Sequence, residues 1–133
     1  MYLQWTDYNS VSVELFDRHH HRIVELINEL YDIRQEPDSS KAKDILKEMQ
    51  RYSLYHLSAE EKLFKKLCYP MAKEHIEAHD YYLEQIKLFK QALRANQPDA
   101  INQMLVFLKN WWVNHINNLD AQYSEFFNGC GVY

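Results

Sequence analysis

The segment Ile45-Leu-Lys-Glu-Met49-Gln-Arg-Tyr52-Ser-Leu-Tyr-His56-Leu-Ser-Ala-Glu60-Glu-Lys-Leu63-Phe-Lys-Lys-Leu67 repeats apolar residues at the three- and four-residue spacing of an amphipathic helix. Two of its inward positions are filled by His56 and Glu60. Burying a polar side chain without a partner costs roughly 2 kcal/mol or more; a lone pair of this kind is more often a surface pair, and it gains weight as a ligand set only if other inward histidines share the core.

The same conflict recurs in three other segments. A first helix places Val13, Phe16, His20, Ile23, Ile27 and Leu30 on one face; a third places Ala72, His75, Ile76, His79, Leu83, Ile86 and Leu93 there. A fourth aligns Ile101, Met104, Leu105, Leu108, Trp112 and His115. Five of the seven histidines therefore lie on inward faces, at least one from each helix. Among the consecutive His19, His20 and His21, the periodicity expects only His20 to point inward. His19 falls at the stripe's edge near Leu15 and Leu26, and His21 falls on the polar face with Glu14, Arg18, Glu25 and Asn28.

Only two glycines and three prolines occur in 133 residues, which favours long uninterrupted helices. The prolines sit in Glu36-Pro-Asp-Ser-Ser40, Cys68-Tyr-Pro70 and Asn96-Gln-Pro-Asp99 and divide the chain into four helix-length stretches. The fold class expected is all-α: an up-down-up-down antiparallel four-helix bundle with an irregular N-terminal arm over about residues 1 to 11. The length predicts one domain spanning residues 1–133.

Fifteen basic against nineteen acidic residues give a net charge of −4, so neither nucleic acid nor an anionic membrane is an expected partner. The opening Met1-Tyr-Leu-Gln-Trp-Thr-Asp has no basic segment followed by an apolar run, and no stretch of about 18 apolar residues occurs, so a cytoplasmic protein is expected. Cys68 and Cys130 form no CxxC and read as minor, reduced thiols.

Residues four apart on a helix share a face, so His56 with Glu60, and His75 with His79, can each chelate. Asp120 follows His115 by five residues, about 140° around an ideal helix. It can join them only if the backbone departs from helix near Asn117-Asn118, and a helix end is expected there. Five imidazoles and two carboxylates exceed what one first-row ion accepts and lack the sulfur of structural zinc, so two ions are implied, with Glu60 and Asp120 as links. Nitrogen and oxygen donors suit iron, with manganese, cobalt and zinc also admissible.

These residues resemble the hemerythrins, in particular their bacterial single-domain forms. The resemblance spans nearly the whole chain: Trp5 in the arm, Asp17-Arg-His-His20, His56-Leu-Ser-Ala-Glu60-Glu61, Tyr69-Pro70, His75-Ile-Glu-Ala-His79 and Trp111-Trp-Val-Asn-His115-Ile-Asn-Asn-Leu-Asp120. It implies a non-haem di-iron centre with His75, His79 and His115 on one iron, His20 and His56 on the other, and Glu60, Asp120 and a solvent oxygen bridging. It also implies reversible O2 binding for carriage, storage or delivery, with an oxygen-consuming enzyme as a recipient and no catalysis by the chain itself. Three departures from the family pattern stand out: His19 replaces the usual Gln, Leu57 the common Phe, and Trp112 the leucine over the O2 pocket. Competing functions are an O2 or redox sensor acting through a partner, and a di-iron reductase of peroxide or nitric oxide. A ferritin-type oxidase is disfavoured, because no Glu stands three residues before a histidine.

Overall fold

The computed structural model describes residues 1–133. Its helices are α1 (Glu14–Asp32), α2 (Ser40–Leu67), α3 (Ala72–Arg94), α4 (Ala100–His115) and α5 (Ala121–Gly129). A π-helical turn, Ile116–Asp120, joins α4 to α5 in one rod, so the chain forms four rods and no strand. Short connections force successive rods to run in opposite directions. α1 packs on α2 and α4, and α3 packs on the same two, closing a four-membered ring around one interior. No helix is long and apolar enough to cross a membrane.

Local chemistry sets the rod ends. The Ser39 hydroxyl accepts the Ala42 N–H at 3.1 Å, capping α2 after the Pro37 turn. At the other end Cys68 adopts a left-handed conformation (φ 54°, ψ 48°), and the Tyr69 N–H donates back to Phe64 O at 3.0 Å. This is the Schellman arrangement, completed by contact between the Tyr69 and Phe64 rings at 5.1 Å, with cysteine where glycine is usual.

The arm extends to Val13, two residues further than expected, and is anchored at Leu3, Ser10 and Val11. Asn28 holds the Leu3 backbone by two bonds of 2.8 Å, and Asp17 accepts from the Ser10 hydroxyl and the Val11 N–H. From the far end of the chain, Ser124 donates to Val11 O at 2.6 Å. Leu3, Val11 and Val13 are thereby buried.

The inward stripe of α2 differs from the expected one. Ser53, Leu57 and Phe64 are buried, while Tyr52, Leu63 and Leu67 are half-buried. On α3 Tyr82 is buried and Leu83 half-buried. A 3.6-residue period drifts by about 20° per heptad, so over a rod as long as α2 the buried line moves to the adjacent residue. His56, Glu60, His75 and His79 keep their inward places.

Both cysteines are free and exposed. Because a side chain in the left-handed region is disfavoured where glycine is not, Cys68→Gly is expected to raise unfolding stability by about 0.5–1 kcal/mol. Chemical denaturation of the two proteins measures it, and a loss of stability would show that the thiol packs favourably enough to offset the strain.

Candidate metal centre

Each rod delivers donors from its middle. α1 provides His20, α2 His56 and Glu60, α3 His75 and His79, and the α4–α5 rod His115 and Asp120; all seven are at most 5% exposed. The Nε2 atoms of His75 and His115 are 3.0 Å apart and those of His79 and His115 3.2 Å, while His20 and His56 face each other at 3.0 Å. Asp120 reaches both groups: Oδ1 lies 2.8 Å from His75 Nε2 and 3.0 Å from His115 Nε2, and Oδ2 lies 3.0 Å from His20 Nε2. Glu60 Oε1 stands 3.3 Å from Nε2 of both His56 and His79.

The donors form two sets, Glu60 with His75, His79 and His115, and His20 with His56, Glu60 and Asp120; in each, the ligand atoms lie within 4.8 Å of one another. Metal bonds of about 2.1 Å at right angles put neighbouring donors about 3 Å apart, which is the spacing seen here. Neither carboxylate receives a well-aligned hydrogen bond on either oxygen. Four buried oxygens without hydrogen donors, facing imidazole nitrogens that point at one another, are what a pair of cations would satisfy and what a protein interior otherwise avoids.

Asp120 arrives by a route the sequence reading did not expect. The backbone does not end its helix at Asn117-Asn118, and neither asparagine has a positive φ. Instead the helix widens, with the Ala121 N–H bonding to Ile116 O five residues back. A turn closed by i→i+5 bonds holds roughly one extra residue, so the step of five brings Asp120 back under His115. The side chains of the turn fasten it: Asn117 Oδ1 accepts from Asn9 Nδ2 at 3.0 Å, and Asn118 Nδ2 donates to Asn114 O at 2.8 Å.

His19 is also a correction. It is 3% exposed, alongside His20 at 0%, because α1 faces two neighbouring rods and its buried arc accommodates consecutive residues. Its Nδ1 lies 2.8 Å from Nδ1 of His56. His21 is exposed and touches the Trp5 ring at 5.2 Å. Glu61, which the sequence reading gave no role, accepts from His79 Nδ1 at 2.8 Å.

Aromatic rings enclose the rest. Trp112 is fully buried, 5.9 Å from the His56 ring and 6.3 Å from that of His20, and its indole N–H has no partner. Phe16 meets His56 edge-on at 5.6 Å, Trp111 stacks on His115 at 4.3 Å, and Tyr123 lies parallel to His75 at 5.7 Å.

Electrostatics follow from this packing. Burial and mutual repulsion push the Glu60 carboxyl up, but the imidazoles of His56 and His79 prevail and hold it below the usual range. Asp120 is likewise lowered, burial being outweighed by His115, His20 and His75. Burial lowers His56 despite nearby Glu60, and burial aided by His56 and His20 takes His19 down to about 4. His79 resists burial and is raised to about 9 by Glu60 and Glu61.

A four-rod bundle with an imidazole and carboxylate cluster at its centre is a metal-binding helical protein. The family model of the hemerythrin HHE cation binding domain matches residues 11–126, and the chain belongs to the hemerythrin family. It is 29% identical over 124 residues to the bacteriohemerythrin of Pseudomonas aeruginosa, covering 93% of this chain and 80% of that one. The bacteriohemerythrin of Clostridium acetobutylicum is 25% identical, covering 91% and 98%. A crystal structure of wild-type hemerythrin superposes with a TM-score of 0.85 at 23% identity, over 92% of this chain and 95% of that one, and shows the shared fold.

One alanine inserted between Asn117 and Asn118 swings Asp120 by about 100°, and elemental analysis should find no more than one metal ion per chain; two ions retained would reject the turn's role. In the metal-free protein, His19 contributes stability that is lost as pH falls from 6.5 to about 4, since the unfolded chain takes up a proton that the fold refuses. His79 contributes stability that is full below 6.5 and lost as pH rises to about 9. The thermal midpoint should therefore peak near pH 6.5, and a profile flat across this span would contradict both assignments.

Proposed function

We propose that the chain binds O2 reversibly, to carry, store or deliver it, at two non-haem iron ions held by His20, His56, Glu60, His75, His79, His115 and Asp120. The observation that carries this reading is the unequal division of the donors, three imidazoles on one side and two on the other, with both carboxylates facing both sides. The three-histidine side would offer a bound ion one more protein donor than the two-histidine side, which would leave the latter open to an added ligand. Bound iron would supply the electrons and the vacant position for O2.

The protein's own part is to keep that position dry and the donors fixed. The two-histidine side is walled by Trp112, Phe16 and Trp5, whose rings lie 5.6 to 6.3 Å from those of His20 or His56. Such a wall excludes water and external protons, which favours release of O2 unchanged over loss of its reduced forms. Trp112 belongs to the O2 pocket in this reading, its ring closing the two-histidine side. Glu61 steadies His79 through its Nδ1 hydrogen. Residues 1–133 act as a single unit, without a catalytic group beyond the metal donors.

The test is anaerobic reduction of the iron-loaded protein, one addition of O2, removal under inert gas, and absorption spectra over several cycles. Repeated appearance and loss of an oxy spectrum is the expected result; immediate irreversible oxidation would favour sensing or the reduction of peroxide or nitric oxide. Trp112→Leu should accelerate O2 exchange and autoxidation severalfold at unchanged iron content, and unchanged rates would remove Trp112 from the pocket.

A further inference from the structure

We propose that His19 is a positioning residue of the centre: it accepts the Nδ1 hydrogen of His56 and thereby commits the Nε2 lone pair of His56 to a metal ion. The inference rests on the metal-centre reading and adds to it a residue outside the donor set.

Two ring nitrogens 2.8 Å apart in a dry environment share one proton, so one ring donates and the other accepts. Were His19 the donor, a neutral His56 would carry its hydrogen on Nε2. That hydrogen would point at His20 Nε2, 3.0 Å away, and block the place where a cation would sit. With His56 as donor, its Nε2 presents a lone pair beside His20 Nε2 and Glu60 Oε1, the latter at 3.3 Å. The rest of the site thus selects the tautomer in which His19 accepts.

His19 is built to hold this role. Its ring meets Tyr52 edge-on at 5.8 Å, Tyr55 at 5.1 Å and Phe16 at 6.0 Å, and it lies nearly perpendicular to His56 at 86°. Only one other donor histidine has a side-chain acceptor behind it: His79, backed by the Glu61 carboxylate. The Nδ1 atoms of His20 and His75 have none. A carboxylate strengthens the imidazole it supports more than a neutral ring does. The three-histidine side therefore exceeds the other in donor strength as well as donor number, and His19 supports the two-histidine side by fixing the geometry of His56.

The experiment uses the whole chain with zinc as a diamagnetic probe, read by titration calorimetry and by nitrogen-15 NMR of the imidazoles. The wild type is expected to bind two zinc ions, to carry a protected hydrogen on His56 Nδ1, and to show coupling from that nitrogen across the hydrogen bond to His19 Nδ1. His19→Gln, whose carbonyl can accept, should retain the protected hydrogen and both zinc ions. His19→Leu should lose the signal and weaken the second zinc by about 10- to 100-fold while leaving the first unchanged. The proposal is overturned if the shared hydrogen resides on His19 in the zinc-loaded wild type, or if His19→Leu binds both ions as tightly as wild type with the His56 signal intact. The wild-type coupling decides the matter even if His19→Leu fails to fold. A wild type that binds no zinc overturns the metal-centre reading and this proposal together.

Discussion

Two ionised carboxylates sealed at the centre of a helical bundle are the constraint on which the rest depends. Glu60 and Asp120 have no exposure, and their oxygens lack aligned hydrogen donors. Removing such charges from water costs several kcal/mol each unless opposite charge is close by. The surrounding imidazoles supply part of that compensation, and the convergence of their Nε2 atoms makes a cluster able to take a metal ion for the remainder. Each rod's placement follows, because every one of them must carry a donor to the same few ångströms.

This requirement explains why a bundle of ordinary helices departs from ideal geometry at one point. Four of the donors come from i,i+4 pairs, which a straight α-helix supplies without adjustment. His115 and Asp120 are five apart, so the backbone changes instead, from i→i+4 to i→i+5 bonding over Ile116–Asp120. π-turns are rare in general and concentrate where function sets a side chain's direction. The arm contributes through Asn9, which grips the turn from outside.

Much of this was legible in the sequence. Polar residues recurring inside apolar stripes marked His20, His56, Glu60, His75, His79 and His115, and the prolines marked the rod boundaries. Periodicity identified Asp120 as out of phase but not how the phase would be recovered, since a widened turn and a broken helix leave the same pattern of residue types. His19 was misjudged because a helix with two packed neighbours buries a broader arc than a stripe of threes and fours describes. Glu61 was invisible for another reason: it is one residue round the helix from Glu60, and its partner His79 lies on a different rod. Pairings between rods are fixed by tertiary packing, and a single helical wheel contains no information about them. The drift of the α2 stripe from Leu63 to Phe64 has the same origin in a small angular error accumulated over many turns.

The buried line on the last rod runs Leu108, Trp112, His115, Asp120, Tyr123 and Phe127, in steps of four, three, five, three and four. The single five is the signature of one surplus residue absorbed without losing the inner face, so that Tyr123 and Phe127 still pack against Phe16 and Phe64. In design terms, a bundle assembled from ideal rods would render the same site with a four-residue step and one residue fewer. An alignment scored on uniform helical phase would, for the same reason, misplace everything after His115, because here the helix counts to five where its neighbours count to four.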